Sequence, residues 1–138
     1  MANHNIYVDT NVIIGAFSDM QSDKECFRYL YSLKGKRLYT SSLSIAQLVS
    51  VFQKKKTNKE IKSIVNDIIK KFTVLSCTKA DIEEALKSSN SDIEEAIQCV
   101  ISQKFKCYYF ITNNVKDYNK YINLRPLKSM FIRTIRKD

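Results

Sequence analysis

Two glycines and one proline leave this 138-residue chain little material for tight turns. A sandwich or barrel of many hairpins needs such residues at its corners, so helices joined by short polar loops are expected instead. Gly15 and Gly35 stand far apart, and no glycine-rich phosphate loop exists. His4 is the only histidine, which removes the usual acyl-transfer triads. Cys26, Cys77, Cys99 and Cys107 lack the paired close spacing of a zinc site. No apolar run approaches the ~20 residues of a membrane helix, and no signal peptide is read. A reduced, cytoplasmic chain with no membrane partner is the expectation.

What the chain does have is positive charge: 23 Lys plus Arg stand against 14 Asp plus Glu, a net +9. Such an excess draws phosphate backbones toward a protein without dictating its fold. Hydrophobic residues make up 44%, enough for a packed core without disulfides at this length. One domain over residues 1–138 is expected.

Short β-rich runs alternate with helical patterns. Strands are expected at Asn5–Val8, Leu38–Ser41, Phe72–Leu75 and Tyr108–Thr112, with Leu124–Leu127 as an edge strand because Pro126 cannot donate to a ladder. Val12 to Phe17 reads as a short helix. Further helix starts are signalled by Ser22 with Glu25, Asn58, Thr78 with Asp81, and Ser91 with Glu94. Ser129 to Ile135 reads as a closing short helix. The alternation predicts an α/β fold: a three-layer α/β/α sandwich around a four- to five-stranded, mainly parallel sheet.

In such a sheet, sites form at the carboxyl ends of strands. Asp9 follows Ile6-Tyr7-Val8 directly, and Asp117 follows the Tyr108–Thr112 strand and its Asn113-Asn114 turn. Asp92 and Glu95 are spaced i,i+3 at the start of a helix, close enough to act together. Carboxylates gathered in a basic chain imply a cation among them, most simply a divalent metal, and the basic remainder suits a polyanionic substrate. Each acid also has a structural reading. Asp92 and Glu95 match ordinary capping and dipole preferences, Asp117 suits a solvated turn, and Asp9 or Thr10 suits a cap for the Val12 helix.

Three segments carry a family resemblance. Tyr7-Val8-Asp9-Thr10-Asn11-Val12-Ile13-Ile14 resembles the opening motif of PIN-domain ribonucleases. Ser91-Asp92-Ile93-Glu94-Glu95-Ala96-Ile97 is similar to their central acidic helix start, and Ile111-Thr112-Asn113-Asn114-Val115-Lys116-Asp117-Tyr118 to their third motif. Order and spacing match from about Ile6 to Ile135, most closely the toxin-type bacterial PIN nucleases. The resemblance implies a Mg²⁺- or Mn²⁺-dependent RNA phosphodiesterase. Asp9, Glu95 and Asp117 would be metal-site acids, Asp92 an added catalytic acid, and Asn11, Thr112 and Asn114 positioning groups. The family usually has a glutamate on the helix after the second strand, where this chain has Gln47. A glutamine oxygen can still reach a metal or accept a hydrogen bond, but it brings no charge.

These expectations join into one mechanism, in-line hydrolysis of RNA with one or two metal ions activating water. The runs Lys54–Lys62, Lys70-Lys71 and Arg125–Lys137 are candidates to neutralise flanking phosphates. Two other readings are carried alongside. One is a catalytically weakened PIN-like module that binds RNA or protein, favoured by Gln47. The other is the toxin half of a toxin–antitoxin pair, with an antitoxin protein and a homodimer as partners. A phosphatase on a similar sheet fits less well, since position 11 is Asn where an Asp-x-Asp start needs an acid.

Overall fold

The structure is a computed structural model that describes residues 5–118 and 124–137; His4 lies outside them. Five strands form one sheet: β1 (Asn5–Val8), β2 (Arg37–Ser41), β3 (Thr73–Leu75), β4 (Tyr109–Ile111) and β5 (Arg125–Leu127). Their order is β3-β2-β1-β4-β5, and every adjacent pair is parallel. Pro126 sits in the edge strand β5, where its missing N–H costs least. The expected α/β architecture is therefore what forms, with the sheet entirely parallel.

Helices cover both faces because each strand sends alternate side chains to opposite sides. Ile6, Val8, Leu38 and Ile111 enter one core with α1 (Thr10–Ala16), α2 (Gln21–Ser32), α3 (Ser42–Phe52) and α4 (Asn58–Lys71). Tyr7, Tyr39, Leu75 and Phe110 enter the other, with α5 (Lys79–Leu86), α6 (Ile93–Lys104) and α7 (Val115–Tyr118). Tyr7 stacks on Phe110 at 5.0 Å between ring centroids, and Phe110 meets Tyr118 at 4.4 Å. Each fully buried large side chain of this kind contributes roughly 1.5–3 kcal/mol. A 3₁₀ helix, Ser129–Thr134, closes the chain against α2 where a short helix was expected.

Several helix starts differ from the sequence reading. Helix α2 begins at Gln21 with Met20 as N-cap, and the expected Ser22–Glu25 capping box does not form. The connection from α1 is so tight that the Met20 N–H donates to the Gly15 carbonyl at 3.1 Å, which starts the helix early and puts Ser22 inside its first turn. Thr57, not Asn58, caps α4, because its hydroxyl and Glu60 form a reciprocal capping box. The Thr78–Asp81 box on α5 forms as expected. At α6 the cap is Asp92, whose carboxylate accepts from the Glu95 N–H at 3.1 Å, so the expected Ser91–Glu94 box is replaced. Asp81 also takes Lys104 at 2.8 Å, pinning α5 to α6. Asp117 lies not in a loop but in the four-residue α7.

Candidate functional site

The chain runs outward from β1 through β2 to β3 on one side, then resumes beside β1 with β4 and β5 on the other. Between β1 and β4 the winding reverses, and the two connections leaving their carboxyl ends part to opposite faces. A crevice results there in any such sheet. The last residues of the two strands pair as Val8↔Ile111, so the next residues, Asp9 and Thr112, meet at the crevice floor. The Asp9 N–H extends the ladder by donating to the Ile111 carbonyl at 2.8 Å.

Asp9 occupies the N-cap position of α1 but makes no side-chain capping bond. Its carboxylate turns instead to two side chains from distant parts of the chain. Thr112 Oγ1 donates to Oδ2 at 2.8 Å, and Gln98 Nε2 donates to Oδ1 at 2.9 Å. The Thr112 hydroxyl also accepts the Asn114 N–H at 3.1 Å, which commits its own proton to Asp9. Asp9 is 4% exposed, and burial pushes its carboxyl above the ordinary range. The Thr112 and Gln98 bonds and the nearby Thr10 and Asn11 amides pull the other way. Both side-chain partners are neutral.

Behind Asp9 lies a buried network of hydroxyls and amides. Gln98 Oε1 faces the hydroxyls of Tyr7 and Ser44 at 3.2 Å each. Thr10 Oγ1 lies 2.7 Å from Ser44 Oγ and donates to Gln47 Oε1 at 2.7 Å. Tyr7 also reaches Ser41 Oγ at 3.0 Å, the same oxygen that caps α3 by accepting from the Ser44 N–H. Burial raises the tyrosine pKa, so this hydroxyl stays protonated. Tyr118, the fully buried last residue of α7, has its phenol pushed up by burial and further by the charges of Asp9 and Glu95.

A cleft of about 560 Å³ opens above this floor, lined by Asp9, Asn11, Gln47, Asp92, Glu95 and Asn114 among others. Seven of the residues singled out in the sequence thus meet around one cavity: these six, and Thr112 beneath Asp9. Glu95 is buried on α6, whereas Asp92 is exposed at its cap. The eighth, Asp117, follows in α7, but its side chain lies outside the described residues. Sequence reasoning missed Gln98, Ser44 and Glu94. Gln98 is one turn beyond Glu95, the signal that could have found it, but between Ile97 and Cys99 a glutamine has no distinguishing mark.

The cleft offers only oxygen and amide donors, the ligand type hard cations prefer. Among the described residues no three His, Cys, Asp or Glu side chains form a group able to hold an ion. The Asp117 carboxylate is not part of that count. Asp9 fits a cation in another respect: it is a buried carboxylate whose neutral partners leave its charge uncompensated.

The model of the PIN domain matches residues 6–96, about two thirds of the chain. The chain belongs to the PIN domain family. The matched span includes Asp9, Gln47, Asp92 and Glu95 and stops before Gln98, Thr112 and Asp117. PIN domains are typically nucleases and generally metal-dependent. Solved structures repeat the fold at low identity. VapBC2 from Rickettsia felis, bound to a DNA fragment from its promoter, is 14% identical with a TM-score of 0.71, covering 90% of this chain and 98% of that one. DNA-bound VapBC from Salmonella typhimurium is 16% identical with a TM-score of 0.68, covering 94% and 99%. A toxin–antitoxin complex from Klebsiella pneumoniae is 15% identical with a TM-score of 0.67, covering 87% and 95%. No curated protein sequence matches the chain. No described helix is long and apolar enough to cross a membrane.

Proposed function

We propose that this PIN domain is a Mg²⁺- or Mn²⁺-dependent endoribonuclease of the cytoplasm. The observation that carries the reading is the charge of the cleft. The chain is +9 overall, yet every charged residue described in the cleft lining is acidic: Asp9, Asp92, Glu94 and Glu95. A phosphodiester would be repelled from that surface unless cations lay between. Asp9, Glu95 and Asp117 would hold the metal, with Asp92 as an added acid. When bound, the metal would supply an activated water and neutralise the charge that develops on phosphate. Thr112 and Gln98 keep Asp9 aimed, and their bonds offset part of the burial that disfavours its charge. Asn11 and Asn114, exposed at the cleft, would donate to phosphate or ribose oxygens. Gln47, bonded to Thr10, would position that neighbour as much as the substrate.

The test is cleavage of single-stranded RNA with Mn²⁺, with chelator, and in the Asp9→Asn variant. Metal-dependent cleavage that disappears in the variant is expected. Undiminished cleavage by Asp9→Asn, or cleavage indifferent to chelator, overturns the reading.

One observation favours a second reading. Gln47 replaces the usual acid, and its oxygen is already engaged by Thr10. A PIN-like module that binds RNA or a protein without cutting would follow, seen as RNA binding that ignores metal and yields no product. The similarity to solved toxin–antitoxin complexes supports a biological setting for the nuclease. There it would be the toxin of such a pair, a homodimer held by an antitoxin protein. Co-expression with the product of a small adjacent reading frame should then suppress cleavage.

A further inference from the structure

Gln98 stands one turn after Glu95 on the buried face of α6 and is 3% exposed. A glutamine amide carries a donor at one end and an acceptor at the other, and only its neighbours decide which way it points. Here the neighbours decide firmly. The Asp9 carboxylate at one end can only accept, so Nε2 must face it at 2.9 Å. At the other end, the hydroxyls of Tyr7 and Ser44 converge on Oε1 at 3.2 Å each. Reversing the amide would set its oxygen against the carboxylate, where neither group can donate. Tyr7 is held in turn by β1, and Ser44 by the first turn of α3.

Gln98 and Thr112 each give one hydrogen bond to a different oxygen of Asp9. This fixes the plane of the carboxylate, and each oxygen retains acceptor capacity for another ligand. Both donors are neutral. A lysine or arginine in either place would also favour the ionised carboxylate, but its charge would compete with any incoming cation. Neutral donors aim the group and leave its charge available.

We propose that Gln98 is a positioning residue for Asp9: its amide, oriented by the Asp9 carboxylate and supported by the Tyr7 and Ser44 hydroxyls, holds Asp9 ready to receive a divalent cation. The proposal rests on the metal-dependent reading above. It also gives Thr10, which touches Gln47, Ser44 and Gln98 together, a part in linking α1 and α3 to the carboxylate.

The experiment is calorimetric titration of Mn²⁺ into the whole protein, compared with Gln98→Met and Gln98→Asn, each checked by its thermal melt. Methionine keeps the length and removes both polar ends. Asparagine keeps both polar ends and draws them back by one methylene, away from Asp9. Mn²⁺ binding should weaken by about 10–100-fold in both variants. A merely structural role would lower the melting temperature and leave the Mn²⁺ affinity of the folded protein unchanged. Affinity within about twofold of the parent in either folded variant, well short of the loss typical for an outer partner, overturns the proposal. Should Gln98→Met fail to fold, the asparagine variant decides alone. A parent that binds no Mn²⁺ overturns the metal-dependent reading as well, whereas parent and variants binding alike removes only the role of Gln98.

Discussion

Helix α1 separates two concavities of similar size and opposite character. Asn11 and Ile14 face the cleft of about 560 Å³ that holds Asp9, Asp92, Glu94 and Glu95. Ala16 and Phe17, a turn later, line a groove of about 450 Å³ with Phe27 and Tyr31 as its aromatic wall and Lys24, Arg28, Lys70 and Lys71 around it. Asp67 is the one acid lining that groove among the described residues. Lys71 lies 5.4 Å from the Tyr31 ring centre, so even the aromatic surface there carries a cation. The net charge of +9 therefore describes neither place. The basic groove is built from neighbouring helix surfaces, the end of α1 with α2 and α4, whereas the acidic cleft draws side chains from α1, α3, α6 and the residues that follow β1 and β4. A polyanion would meet one through direct contact and the other only through intervening cations.

Asp9→Asn should have the largest effect on that contrast. Cleavage should fall by about a thousandfold or more, since a few kcal/mol of charge stabilisation would be lost. The same change should stabilise the metal-free protein. The folded-state pKa of Asp9 lies above its unfolded value of 3.8, so the native state holds the proton more tightly than the unfolded chain. Its contribution to stability is then present below 3.8 and is lost as pH rises through the folded value. Without metal at neutral pH, Asp9→Asn should melt above the parent, and the gap should close in acid. A variant that melts lower at neutral pH would break the account of Asp9 as an uncompensated buried charge.

Gly15→Ala strikes the wall between the two concavities. A methyl group at Gly15 would come within 1.8 Å of Asp23 Oδ2. Asp23 is buried in the first turn of α2 and receives a hydrogen bond from Asn113 at 3.2 Å, so it has little room to yield. Helix α2 must shift, at about 1–3 kcal/mol or more, read by denaturant titration. A loss in RNA binding alongside Mn²⁺ binding would show that α1 braces both surfaces.

Reversing two charges on the groove, Lys70→Glu with Lys71→Glu, should leave Mn²⁺ affinity unchanged and weaken RNA binding. The slope of log affinity against log salt should shrink by about 1.4, for two phosphates at about 0.7 each on a single strand. An unchanged slope would remove the groove from the RNA path. The smallest effect is expected from Gln47→Glu, which adds a carboxylate where Thr10 already donates to the side-chain oxygen. Mn²⁺ should bind more tightly by a factor on the order of ten or less, and equal affinity by calorimetry would mean position 47 lies outside the metal's reach.

The fold was largely legible because strands and helices differ in period. Ile6 and Val8 against Tyr7 show the alternation of a strand buried on both faces. Helix starts were less legible. Several Ser, Thr, Asn and Asp residues compete at each boundary, and tertiary contacts chose among them, as the Gly15–Met20 bond did for α2. For the site, Asp9 carried two readings that no local rule separates, since an acid after a strand and before a helix suits a cap and a ligand equally. Partners 89 and 103 residues away, Gln98 and Thr112, turned it from the cap. Asp92 went the other way, accepting the Glu95 N–H as a cap while still lining the cleft.

By itself, then, the sequence carried the order of strands and helices, the mainly parallel sheet, and three acidic segments that resemble PIN-domain motifs. Those follow from local patterns: side-chain period, turn chemistry, and motif spacing. Only the tertiary structure decided which acid is buried, which is a cap, and that a glutamine inside α6 aims Asp9. The reason is that orientation and ionisation of a buried carboxylate depend on donors delivered through space, and sheet topology brings those donors together from segments that share no local signal.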